Sequence, residues 1–361
     1  MSSELDATDK ELLKDIQAFN RNYSATGWHL ADKVVTEDLS RIALFRSSMM
    51  SVQFLHVDWK SAMLTDCEFT NVEFQQAQFT GAKLWRVVFK DCKFVLCSFA
   101  KATLTDCSFI NCTAEELNAR DAEFEGCVFE GFEDDSGVYG SAALRNCRFE
   151  RGRMDNSSFY STKFNAVSVK QSTIENAIFA DIQGTDLSFE DATIQDCSFE
   201  GSRFGSVTFE RGQSQGVTFK EFNAEKIGIR NCAKIEALTV RDSTFAAAEI
   251  LDCPSVSELT INKSQMKDLT MERNQIAYFE MEETEVSGDS RIVDCPIAGL
   301  NLQKSTLLGM TMANCAVAMY LIADGATLNG VAMDGMTYAP GLQLRTRGVN
   351  YLNGSAEFGG R

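Results

Sequence analysis

Between Ser61 and Phe109 the chain sets a large apolar residue on every fifth position and a small or thiol-bearing one two residues ahead of it. The large residues are Leu64, Phe69, Phe74, Phe79, Leu84, Phe89, Phe94, Phe99, Leu104 and Phe109; their small companions are Ala62, Cys67, Val72, Ala77, Ala82, Val87, Cys92, Cys97, Ala102 and Cys107. The other three positions of each unit are mostly polar. A period of five matches neither the 3.6 of an amphipathic helix nor the 2.0 of a half-buried strand. It predicts a chain that turns a corner every five residues, so that four units close a square coil of about 20 residues and the coils stack as a solenoid. A sandwich of short strands would instead show turn signals every 8 to 12 residues and strict alternation between them.

The frame runs from Leu44 to Ile229, where about 32 of about 38 central positions are large and apolar, Trp59 among them. It then shifts by one residue near positions 230, 253, 289 and 325, as single-residue bulges at corners would produce. Met-rich centres in this half, such as Met266, Met271 and Met281, read as core filler. Residues 38–338 therefore form the repeat. Ahead of it, residues 1–7 read as loose, and the segment from Thr8 predicts a short amphipathic helix with Leu12, Leu13, Ile16 and Phe19 on one face. Residues 1–37 are expected to cap an open solenoid end or to dock a partner. In the tail, residues 339–361, the apolar residues Leu342, Leu344, Val349, Tyr351 and Leu352 are candidates to cover the other end.

These units resemble degenerate pentapeptide repeats of consensus A(D/N)Lxx, matched by Ala82–Leu84, by Cys67–Phe69 and by Cys197–Phe199, with Phe preferred at the centre and Asp or Asn rare just before it. The resemblance spans roughly residues 40–338. It implies an all-β fold, a right-handed quadrilateral β-helix, and a scaffold rather than an enzyme. It also implies a homodimer contact through the C-terminal end, as in some relatives, and two kinds of partner. One is a protein docked on a general scaffold such as a bacterial effector, secretion adaptor or assembly factor. The other is a type II topoisomerase (DNA gyrase), bound by members of the family that mimic DNA and so protect or inhibit the enzyme.

Composition narrows the chemistry. No run of apolar residues is long enough to span a membrane, and no secretory leader pattern opens the chain, so a cytoplasmic, reducing compartment is expected, with non-classical secretion as the effector route. Eight of the twelve cysteines, Cys67, Cys92, Cys97, Cys107, Cys112, Cys127, Cys147 and Cys197, fall in the small column and read as buried reduced thiols. There is no phosphate loop, nucleophile elbow or metal-ligand spacing. No cofactor is expected.

With a net charge of −17 the chain is a poor direct ligand for nucleic acid. Some 300 repeat residues make a rod of about 70 Å at the interstrand distance, over which duplex DNA carries about 40 charges. Locally the comparison reverses. Glu115, Glu116, Asp121, Glu123, Glu125, Glu130, Glu133, Asp134 and Asp135 face a single Arg120, and form the candidate partner-binding acidic patch. The pattern weakens at Thr113–Asp121 and Gly131–Gly140, either as degenerate faces or as a loop bulging from a corner, with the Gly-rich, acidic composition favouring the loop. Trp85, next to a central Leu, is the candidate exposed aromatic contact.

Overall fold

The structure, a computed structural model, describes residues 3, 4, 7, 9, 10, 24–354 and 358. The chain divides into two compact units, Met1–Gln183 and Gly184–Arg361.

In the first unit the period of five becomes a four-walled coil of parallel strands. Residue i pairs with residue i+20, so Leu64, Leu84 and Leu104 stack on the first wall, Phe69, Phe89 and Phe109 on the second, and Phe54, Phe74 and Phe94 on the third. The fourth wall, centred on Trp59, Phe79 and Phe99, is joined by single bridges such as Asp58–Gln78 and Gln78–Ser98. Most three-residue strands bury only their middle side chain, as in Glu68–Thr70 and Lys93–Val95.

Because successive coils repeat the same residue at the same height, like side chains stack. The rings of Phe69, Phe89, Phe109, Phe129 and Phe149 form one column with centroids 4.5 to 5.0 Å apart. Neighbouring walls meet edge to face, as Phe89 meets Phe94 at 73°. Both geometries suit the ring quadrupole.

A second side chain per wall also points inward, two residues before the centre, and close packing leaves it room only to be small. There a thiol or hydroxyl has a partner. Cys67 Sγ donates to the Leu44 carbonyl at 3.4 Å, Cys112 Sγ to Phe89 at 3.3 Å, and Thr162 Oγ1 to Tyr139 at 2.7 Å, each reaching 23 residues back to the coil below. All twelve cysteines are buried free thiols. Burial raises the Cys97 thiol to about 11, which keeps it protonated.

The corner itself is a residue in the left-handed region two positions after the centre: Asp66, Asn71, Gln76, Gly81, Arg86 and Asp91 have φ between 52° and 67°. Asp, Asn and Gly tolerate this conformation best and recur there.

The weak stretches at 113–121 and 131–140 do not break the coil, and no loop leaves it. Thr113–Glu115 and Glu133–Asp135 are ordinary third-wall strands, paired with each other and with Arg153–Asp155. Gly131 is simply a corner, φ 60°. Phe132 takes the small position and turns its ring into the core against Phe109 and Phe129, which leaves the central Asp134 to be accommodated otherwise.

At the amino end, Ser3–Glu4 pairs with Lys33–Val34 as a strand, so these two residues are not loose. Of the described residues ahead of the coil, Ala7, Asp9 and Lys10 are helical, while a cap over the coil's end is not seen among the described residues. Of the expected helix, Thr8 and residues 11–23 lie outside them.

In the second unit the walls run together. Arg203–Glu210, Asn223–Arg230 and Thr244–Leu251 are eight-residue strands that pass from first to second wall without a left-handed residue. Val256–Asn262, Ile276–Glu282 and Ala316–Ile322 do the same between third and fourth. Pairing steps from 20 to 21 residues where Ser214 meets Ile235 and where Ile235 meets Val256, and extra residues enter close to the expected positions 230, 253 and 289. The fourth enters between Val317 and Tyr320, where the register slips, rather than near Gly325. The described part of the tail extends the coil. Gln343–Arg345 and Asn350–Leu352 pair in parallel with Tyr320–Ile322 and Thr327–Asn329 and continue the coil past residue 338. Leu344, Tyr351 and Leu352 stay exposed.

Candidate functional site

A strand carries its outward residues to a wall determined by position modulo 20, so acids close in sequence are dispersed around the coil. Asp121 lies at the corner before the first wall and Glu123 and Glu125 lie on it; Glu130 is on the second; Glu115, Glu116, Glu133 and Asp135 are on the third or its corner. The nine candidates are thus not one patch. Some are also answered by neighbours: Glu130 pairs with Arg151, and Glu125 accepts from Asn146 Nδ2 at 2.7 Å.

Asp134 is not on the surface at all. It occupies the central column, 2% exposed, between Ala114 and Met154 in the third-wall register. Its Oδ2 accepts from Tyr139 Oη at 3.0 Å and from Ser157 Oγ at 2.8 Å, while Oδ1 has no hydrogen-bond partner among the described residues. Gly137 makes the room, since a Cβ there would stand 2.1 Å from Oδ2. Burial raises the Asp134 carboxyl to about 6, against the pull of its two hydroxyl donors.

What the coil does assemble is a ladder on the third wall. Glu115, Asp135, Asp155 and Glu175 are successive register partners, so four carboxylates stand in one row on one face. Glu116 and Glu133 flank the row. Arg153 bridges its upper end, with Nη2 at 3.0 Å from Asp155 Oδ2 and 2.6 Å from Glu175 Oε2. Amides support the rest: Asn156 Nδ2 donates to Asp135 at 3.3 Å and Asn176 Nδ2 to Asp155 at 3.0 Å. The lower end, Glu115 and Asp135, is exposed. Two of these four residues lay outside the expected patch. The signal was available as an acid at positions 115, 135, 155 and 175, once every 20 residues.

Trp85 is 46% exposed, as its place beside a central Leu predicted. It lies on the first wall, in the row Thr65–Trp85–Thr105, so the fold does not bring it to the ladder. One ring face is already covered by the Arg86 guanidinium, 3.5 Å from the centroid, which is anchored by a two-point contact with Asp66 at 2.6 and 2.8 Å.

Concave surface occurs in both units: a groove of about 670 Å³ in the first runs along Ser51, Asn71 and Asp91, and a larger one lies in the second. An open groove of about 1060 Å³ follows the merged corner of the first and second walls, over Phe204, Phe245 and Met266. Among the described residues no group of three His, Cys, Asp or Glu side chains could hold a metal ion, and no helix is long and apolar enough to cross a membrane.

Against known families, the model for pentapeptide repeats matches residues 47–86 and 92–131 in eight copies. No curated protein matches the chain. Solved structures with a similar course include HetL, a pentapeptide repeat protein involved in heterocyst differentiation regulation in the cyanobacterium Nostoc sp. strain PCC 7120. It is 14% identical, with 61% of this chain and 92% of that one covered and a TM-score of 0.39. Another is a trypsin-treated form of QnrB1, a plasmid-mediated fluoroquinolone resistance protein, 15% identical over 49% of this chain and 83% of that one, TM-score 0.27. The alginate lyase AlyGC of family PL6 is 8% identical over 91% and 92%, TM-score 0.25.

Proposed function

Starting from a chain of pentapeptide repeats wound into four-walled coils, we propose that this protein is a non-enzymatic scaffold that binds another protein, and that the third wall of the first unit is its docking surface. The observation that carries this reading is the in-register carboxylate row Glu115, Asp135, Asp155 and Glu175. A flat wall with a filled core offers area and charge, while catalysis asks for a concave, partly dry site. Parallel pairing keeps like charges about 4.8 Å apart, an arrangement that costs some stability and is relieved by a basic partner.

A second reading, mimicry of DNA toward a type II topoisomerase, draws support from the same row. Its three interstrand steps span about 14 Å, over which one DNA strand presents about four phosphates. A groove shaped for a phosphate backbone would meet a similar line of charge.

Replacing the row (Glu115→Gln, Asp135→Asn, Asp155→Asn, Glu175→Gln) tests the proposal, with Glu123→Gln and Glu125→Gln on the first wall as the control. Affinity capture from the native host at moderate salt should lose its partner with the third-wall variant and keep it with the control. Equal capture by both, with an unchanged salt dependence, would overturn the docking surface. Gyrase or topoisomerase IV subunits among the captured proteins would select the second reading.

A further inference from the structure

In the second unit three departures from the repeat coincide at the merged corner of the third and fourth walls. Glu258, Tyr278, Gly299 and Tyr320 are successive register partners there. Gly299 is the only residue small enough for its place, because a Cβ would lie 2.4 Å from Tyr320 Cζ. The Tyr320 ring therefore lies over the glycine. The strand Ala316–Ile322 carries its extra residue at this height, and the register slip between Ile297 and Gly299 delivers the ring to that spot, as bulges re-aim side chains elsewhere. Tyr278, 45% exposed, completes the arrangement: the two rings are 18° from parallel with centroids 6.4 Å apart. The result is a tyrosine shelf with its outer face toward solvent.

The shelf borders a shallow trough of about 390 Å³ along the third wall, floored by small side chains, Ser257, Ala277, Ala298 and Ala318. The four strand segments that form it carry charge of one sign. Segments 254–262, 275–282, 296–303 and 316–324 contain no Lys or Arg, but do contain Glu258, Glu280, Glu282 and Asp324, the last paired with Arg345 of the next strand. Among the described residues Glu258 accepts from Thr260 Oγ1 at 3.5 Å and Glu280 from Asn262 Nδ2 at 3.1 Å with no ion pair to either, whereas Glu282 nearby is paired with Lys304. Both lie close to the shelf, since after partial burial it is Glu280, Tyr278 and Glu258 that hold the Tyr320 hydroxyl above its ordinary range.

We propose that this corner is a binding site for a basic, extended peptide segment of a partner protein, whose arginine or lysine lies across the Tyr278–Tyr320 shelf between Glu258 and Glu280 while its backbone follows the alanine-floored trough. Aromatic faces attract a guanidinium or ammonium group, two unneutralised carboxylates add charge-assisted hydrogen bonds, and the small floor lets a main chain approach. The site is in a different unit from the carboxylate row and does not depend on it.

The test is calorimetric titration of the full chain with an acetylated, amidated tetra-arginine peptide, with the tetra-citrulline peptide as the uncharged isostere. The expected result is binding of tetra-arginine only, weakened about tenfold by Tyr278→Ala or Tyr320→Leu and retained by Tyr278→Phe. Glu258→Gln with Glu280→Gln should weaken it about as much and flatten its salt dependence. Thermal melts check that each variant stays folded; Tyr278 and Glu258 are exposed, so their replacement leaves the core intact. Equal affinity for both peptides would overturn the proposal. So would unchanged binding in the tyrosine variants, or binding lost only when the third-wall row Glu115–Glu175 is neutralised, because the peptide would then sit on that row.

Discussion

The two units answer the same problem, turning a chain four times per coil, in different ways. In the first, almost every corner is one left-handed residue, the walls are short and flat, and phenylalanine columns fill the interior. In the second, corners are absorbed into seven- and eight-residue strands, the centres shift toward Ile, Leu and Met, and grooves follow the merged corners. The difference teaches that one five-residue period supports two surfaces: flat walls that array charge, and troughs that can receive a side chain.

The interiors should respond unequally to truncation. Phe89 has a stacked ring on either side, Phe69 at 5.0 Å and Phe109 at 4.9 Å, and those rigid neighbours cannot collapse into a void. Phe89→Ala should cost about 4 kcal/mol. Met271 pairs with Ile250 and Ile292, flexible aliphatic neighbours that can close in, so Met271→Ala should cost about 2 kcal/mol. Denaturant melts of the two variants would measure the gap, and equal losses would break the contrast.

The polar interruption in the first unit predicts a pH effect. The carboxyl of Asp134 rises from an ordinary 3.8 to about 6 on folding, so the folded state holds its proton more tightly than the unfolded chain. That contribution is complete below about pH 4 and is lost as pH climbs through 6, a change on the order of 3 kcal/mol. Asp134→Asn should keep an acceptor for Tyr139 and Ser157 and remove the dependence. Its melting temperature should be the higher one at pH 8, with the advantage gone at pH 4; a parallel pH profile for both proteins would refute this assignment.

The corners give a smaller and opposite-signed pair. Leu96 is held at φ 56°, so Leu96→Gly should be stabilising by up to about 1 kcal/mol. Ser206 occupies the equivalent place in a continuous strand without a positive φ, and Ser206→Gly should be destabilising by about 0.5 to 1 kcal/mol. Smallest of all, Glu115→Gln with Asp135→Asn should raise the melting temperature slightly at low salt, an effect that disappears at high salt.

Legibility varied with range. The inward columns, the buried thiols and the outward Trp85 could be read from the spacing, because a strand's in–out alternation is local. The interruption at 131–140 was misread as a loop because glycine and acid counts carry no sign of direction: Gly131 is an ordinary corner, Gly137 makes room for the buried Asp134, and Phe132 fills the core beside it. The acidic patch was misread for the same reason, since neighbours in sequence were taken for neighbours in space.

By itself, then, the sequence determined the five-residue step, the identity of the inward column and the existence of a stacked coil, all of which follow from side-chain alternation over a few residues. Only the tertiary structure decided which residues share a wall. That depends on closure after 20 residues, on where a single extra residue slips the register, and on whether a corner bends or is absorbed. Such choices place Glu115 beside Asp135 and Asp155, and Tyr320 over Gly299 beside Tyr278, because parallel pairing joins residues a whole coil apart.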